Sequence, residues 1–174
     1  MSSLRVPVTE RDHVQGNADA RCVLVEYGDY ECPHCRAALP VVQRLERYFG
    51  KNLLFVFRNF PLTNIHPFAE PAAETAEFAG AQGRFWEMHE RLFVNQDSLG
   101  LPLFLELAQD LGLNADELRL SVEQRLHAKR IQKDFTGGVR SGVNGTPTFF
   151  INGTRYDGPN DYGPLVEAIT YLLR

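Results

Sequence analysis

Two runs of apolar residues, Cys22 to Tyr27 and Leu53 to Phe57, stand out against the mixed pattern of the chain. Both are short, nearly continuous, and rich in β-branched or aromatic residues, as expected of strands buried on both faces. Between them, Pro40 to Phe49 carries an apolar stripe at helical spacing and stops at Gly50, a C-cap residue. The pattern predicts a strand, a helix and a strand joined by a right-handed crossover.

From Ile65 to Arg140 the periodicity is helical throughout, with no strand pattern. Glu70 to Ala81 is rich in Ala and Glu, Phe85 to Val94 spaces aromatics as a helix does, and Leu101 to Leu111 repeats leucines on one face. Asn114, with Glu117 three residues on, reads as the N-cap of another helix. Gly137, Gly138, Gly142 and Gly145 then predict a break in helical structure. Thr148 to Ile151 returns to strand character, and Asn152-Gly153 before Thr154 to Tyr156 is a two-residue hairpin signal. Asp161 to Leu173 closes the chain as an amphipathic helix.

Cys32-Pro33-His34-Cys35 falls where the first strand gives way to a helix. Sulfurs three residues apart stack on one helical turn and close a short disulfide ring. The free N–H groups and positive dipole end of a helix N-terminus favour a thiolate, so Cys32 is the expected attacking sulfur. Cys35, one turn deeper, suits attack on a mixed disulfide held by Cys32 and is the expected resolving sulfur. Pro33 has no N–H at a position where a helix offers no partner, and its fixed φ suits the first turn. His34 brings a partly cationic ring beside a sulfur that must hold negative charge. Together they predict an oxidising pair, because stabilising the reduced form makes the disulfide a better electron acceptor.

Composition narrows the alternatives. At 174 residues, 44% hydrophobic, 23% charged and with a formal net charge of −4, the chain is that of one ordinary globular domain spanning 1–174. No basic tract is long enough for a nucleic-acid footprint, and His127 to Lys133 reads as the wet face of a helix. Met1 to Arg5 lacks the apolar core of a signal peptide and no run approaches a membrane span, so a cytoplasmic protein with neither nucleic-acid nor membrane partner is expected. Three cysteines make an odd count, which argues against a disulfide framework and leaves Cys22 as a small packing residue. A structural zinc would want two further Cys or His ligands at matching spacing, and no second pair has that spacing, so neither metal nor organic cofactor is expected.

The cysteine motif after a strand, the Gly145-Thr146-Pro147-Thr148-Phe149 segment before the hairpin, and the helical stretch between them resemble the DsbA-like branch of the thioredoxin fold. The resemblance covers nearly the whole chain. It implies an α/β fold with a central mixed sheet flanked by helices and a helical subdomain inserted at about 63–140. It also implies a cis bond between Thr146 and Pro147 opposite the cysteines, with the Thr146 backbone free to pair with an extended substrate. Glu26 interrupts an apolar strand six residues before Cys32. From the residues alone, a carboxyl at a strand edge is as good a reading as a buried one. The family carries a buried acid at this spacing, which implies proton transfer to and from Cys35. Glu31 stands where thioredoxins proper have Trp, and its charge would oppose the thiolate. His66 and His89 read as capping and packing residues.

The sequence thus predicts a thiol–disulfide oxidoreductase acting on protein thiols or disulfides, with glutathione or a thioredoxin-type protein as recycling partner. Two alternatives remain. One is a glutathione-linked transferase or isomerase of the related kappa branch, which typically has Ser at the attacking position and lacks the second cysteine. The other is a redox-regulated peptide-binding module.

Overall fold

The computed structural model describes residues 2–174. Its scaffold is a five-stranded sheet in the order β1-β3-β2-β4-β5. The strands are β1 (His13–Gly16), β2 (Cys22–Gly28), β3 (Leu53–Asn59), β4 (Thr148–Ile151) and β5 (Thr154–Tyr156). The two apolar runs form the parallel pair β2/β3 at the centre, joined through helix α1 (Pro33–Phe49), and the remaining pairings are antiparallel.

Strand periodicity divides the core between the two faces of the sheet. Cys22 and Leu24 of β2, with Leu53, Phe55 and Phe57 of β3, pack against Ala38, Val42 and Leu45 of α1. Helices α3 (Phe85–Val94) and α7 (Tyr162–Leu173) join the same face through Leu92, Phe93, Leu165 and Ile169. Val25, Tyr27, Leu54 and Val56 point the other way and meet Phe60, Val143 and Phe150. Glu26 continues the Cys22–Leu24 row, so the alternation carries its carboxyl to the face covered by α1, beside Phe57 and Phe149 in register.

Between β3 and β4 lie α2 (Ala69–Gly80), α3, α4 (Leu101–Asp110), α5 (Ala115–Gln124) and α6 (Ala128–Arg140). Asn114 caps α5 by accepting the Glu117 N–H at 3.1 Å. The hairpin turn has φ of 47° at Asn152 and 81° at Gly153, the left-handed pair of a type I′ turn.

The structure differs from the sequence reading in two places. The glycines at 137 and 138 do not break α6, which runs on to Arg140. Gly138 lies against the sheet, where a Cβ would sit 2.8 Å from the Phe60 ring and 3.0 Å from that of Tyr27, and a Cβ at 137 would sit 3.0 Å from the Val6 side chain. Strand β1, with the largely polar sequence His-Val-Gln-Gly, has no apolar pattern to announce it and forms as an antiparallel edge on β3.

Candidate active site

Cys32 is the N-cap of α1, with extended backbone, and Pro33 opens the helix. The Cys32 carbonyl accepts the N–H groups of Cys35 and Arg36, both at 3.1 Å. This tight first turn turns both sulfurs to one side. The cysteines are free thiols. Cys32 keeps 4% of its surface and Cys35 none, so both are buried and Cys32 is the nearer to solvent.

The two thiols have opposite acidities. A hydrogen bond from Cys35 outweighs burial and, with help from Thr146 and the backbone N–H groups of Cys35 and His34, holds Cys32 down at about 5. Burial pushes Cys35 well above its ordinary value, and the Cys32 hydrogen bond and the Glu26 charge push it further. The Asp29 N–H lies 3.4 Å from Cys35 Sγ. The His34 side chain is exposed, and what it gives Cys32 here is its backbone N–H.

Glu26 is 3% exposed, and its Oε1 has no hydrogen-bond partner among the described residues. Burial and the charge of Cys32 push it up to about 8, so it holds its proton at neutral pH. A cavity of about 90 Å³ runs from Glu26 and Cys35 between α1 and α3 towards Gln43, Glu46 and Glu90. That is room for several waters at roughly 10–15 Å³ each, with the polar partners water needs.

Opposite Cys32, the Thr146–Pro147 bond is cis and the Thr146 carbonyl oxygen lies 3.5 Å from Cys32 Sγ. The remaining walls come from farther along the chain. Gln96, in a 3₁₀ turn after α3, donates to the carbonyls of Tyr30 at 2.8 Å and Cys32 at 2.9 Å. Asp29 is buried, and its carboxylate accepts the N–H groups of Glu31 at 2.7 Å and Leu62 at 2.8 Å.

All the residues singled out in the sequence, Glu26, Cys32, Pro33, His34, Cys35, Thr146 and Pro147, gather at this end of the sheet. Two details read otherwise in three dimensions. The Glu31 carboxylate accepts the Phe68 N–H at 2.8 Å, and so is turned to the start of α2. His66 is no helix cap: its Nδ1 lies 2.8 Å from Asp29 Oδ2. Sequence reasoning missed Gln96, whose partners are distant in the chain, and Asp29, whose carboxylate is joined to Leu62 and His66 only by the fold. His89 packs among Phe57, Phe85, Trp86 and Phe93, and burial drops it to about 3, so it is neutral. Cys22 is wholly buried, and burial raises it to about 11, as a packing residue. The described residues contain no cluster of three or more metal-ligating side chains.

The profile of the thioredoxin family matches residues 8–170. The Na(+)/H(+) antiporter NhaA 1 of Salinispora arenicola is 46% identical over 168 residues, which are 96% of this chain and 26% of the antiporter. The chain therefore spans about a quarter of the length of the curated relatives it matches. No helix among the described residues is long and apolar enough to cross a membrane. Among solved structures, oxidised BdbD from Bacillus subtilis superposes with a TM-score of 0.89 at 24% identity, covering 99% of this chain and 98% of that one. A thioredoxin-like oxidoreductase from Silicibacter pomeroyi superposes with a TM-score of 0.82 at 26% identity, covering 94% and 92%.

Proposed function

Because the chain belongs to the thioredoxin family, in the DsbA-like form of its fold, we propose that it is a thiol–disulfide oxidoreductase that exchanges a Cys32–Cys35 disulfide with protein dithiols. The observation that carries this reading is the division of labour between the sulfurs. Cys32 keeps the little surface the pair has and is held down at about 5, while Cys35 has none and is pushed up.

In the oxidising direction a substrate thiolate attacks Cys32 Sγ and the Cys32–Cys35 bond breaks. Cys35 leaves as a thiolate and takes the proton held by Glu26. The second substrate thiolate attacks the substrate sulfur of the mixed disulfide and releases Cys32 as a thiolate. The substrate loses two electrons and two protons, and the cysteine pair gains the electrons. One proton ends on Cys35 by way of Glu26, which is recharged through the cavity, and the other goes to solvent. The Thr146 carbonyl, 3.5 Å from the reacting sulfur, offers an extended substrate chain a backbone partner.

Stabilising the Cys32 thiolate favours the dithiol and makes the disulfide an oxidant. A glutathione pool poised as in the cytoplasm would keep such a pair mostly reduced, which would favour a reductase or sensor role there.

The test is equilibration of the protein against glutathione buffers with trapping of free thiols. A potential nearer the roughly −120 mV of DsbA than the roughly −270 mV of thioredoxin is expected, and a value at the thioredoxin end would reverse the direction. Cys35→Ser should accumulate a mixed disulfide with a reduced, unfolded protein substrate, and Cys32→Ser should form none. Equal turnover in Cys32→Ser and wild type would sink the reading.

A further inference from the structure

Asp29 ties the surroundings of both cysteines together. Its N–H lies 3.4 Å from Cys35 Sγ, and its carbonyl accepts the Cys32 N–H at 3.1 Å. Its carboxylate is fully buried and binds the Glu31 and Leu62 N–H groups. A buried carboxylate so close to a second negative charge is costly unless a cation is paired with it. The partner is His66, whose Nδ1 lies 2.8 Å from Asp29 Oδ2, an ion pair when the ring is protonated, and whose side chain remains 18% exposed. His66 sits on the loop between β3 and α2, and the ionisable groups that face it are Asp29, Glu31 and Cys32.

We propose that His66 is a positioning residue for the redox pair: its imidazolium, held on Asp29, offsets the buried carboxylate of the residue whose backbone meets both cysteines, and so sustains the Cys32 thiolate. The inference rests on the reading of Cys32 as the attacking sulfur. It places the cation that supports the thiolate 34 residues after Cys32, whereas the sequence suggested the ring of His34 inside the motif.

Partial burial works against a charged ring at this site. The hydrogen bond and charge of Asp29, with the charges of Cys32 and Glu31, outweigh it, so His66 keeps its proton to higher pH than an ordinary histidine. Coupling between two sites is reciprocal. If the imidazolium stabilises the thiolate, the thiolate stabilises the imidazolium, and closing the Cys32–Cys35 disulfide removes that support. His66 therefore releases its proton at lower pH in the oxidised protein. His66 undergoes no redox or covalent chemistry: a ring N–H gives its proton to solvent and takes one back.

The wild-type protein supplies the first measurement, an NMR titration of the His66 ring in the oxidised and the reduced state. The midpoint is expected to be higher in the reduced state. His66→Gln, which keeps a donor for Asp29 but no charge, supplies the second, read as thiolate absorbance in the ultraviolet. Cys32 is expected to titrate about one pH unit higher in this variant, the low end of what an opposite charge nearby gives. The equilibrium with glutathione is expected to shift up to tenfold towards the disulfide, which is about 30 mV. An identical His66 midpoint in both redox states, or a Cys32 titration unmoved in His66→Gln, overturns the proposal. Neither reading needs a substrate: a protein that fails to oxidise a reduced substrate while both titrations move loses the proposed function and keeps the coupling.

Discussion

Folding the reduced chain exchanges one proton between two side chains. Cys32 falls from 9.0 to about 5, so between those values the folded state binds fewer protons there than the unfolded state. Stability from Cys32 thus grows with pH and is lost as pH falls through about 5. Glu26 rises from 4.5 to about 8, so the folded state binds more protons there, and stability is lost as pH climbs through about 8. Between about 5 and 8 the two slopes oppose each other, and the reduced wild type should show little pH dependence from this pair. In reduced Glu26→Gln only the Cys32 slope of the pair remains, so its stability in urea relative to wild type should rise steadily across that window. A flat difference between Glu26→Gln and wild type would mean that the carboxyl is not protonated in the fold. The buried acid at Glu26 came from the family resemblance, its own residues reading equally well as a strand-edge carboxyl. Cys32 and Cys35 were legible in the sequence because they depend on the local spacing of a helical turn. His66 and Gln96 were not, since their partners lie 37 residues away for His66 and 64 and 66 residues away for Gln96, and no periodicity links them.

Elements read well from the sequence where pattern and packing agree, and fail where packing overrides propensity. The central strands, the hairpin and the capped start of α5 each carry their own chemical signal in a few consecutive residues. Helix α6 does not, because Gly137 and Gly138 are unfavourable for a helix and are there for a neighbour. Alanine at 138 would gain about 1 kcal/mol of helix propensity. Its Cβ, however, meets a Phe60 ring that is stacked on Phe135 at 4.3 Å and edge-on to Tyr27, and so has little room to turn. Overpacking of this kind typically costs about 1–3 kcal/mol, so Gly138→Ala should lower the urea midpoint. Gly163, in α7, is the control: nothing lies within 4 Å of its Cβ position, and Gly163→Ala should hold or raise the midpoint. If both variants shift equally, close approach to the sheet is not why 138 is glycine. Strand β1 was missed for the complementary reason. It is a short polar edge whose place is given by the β3 backbone and not by its own side chains.

At the scale of the whole molecule, the helical block and the sheet meet around the redox loop. Gln96 holds the Tyr30 and Cys32 carbonyls from the block, Asp97 pairs with Arg36 of α1 at 3.2 Å, and His66 grips Asp29 from the loop leading into α2. The oxidation state of the pair should therefore register in the stability of the entire fold. A disulfide across four residues closes a very short loop and restrains the unfolded chain little, so its entropic contribution is small. Reduction, in contrast, creates a thiolate that the fold supports from several directions. The reduced protein is accordingly expected to melt higher than the oxidised one at neutral pH. The gap should widen as pH rises from about 5 to 8, because the oxidised protein retains the falling Glu26 slope without the compensating rise from Cys32. Paired calorimetric scans of the two states across that range measure both the sign and the trend. An oxidised form that melts higher throughout would show that the fold favours the disulfide, and the pair would then be a reductant.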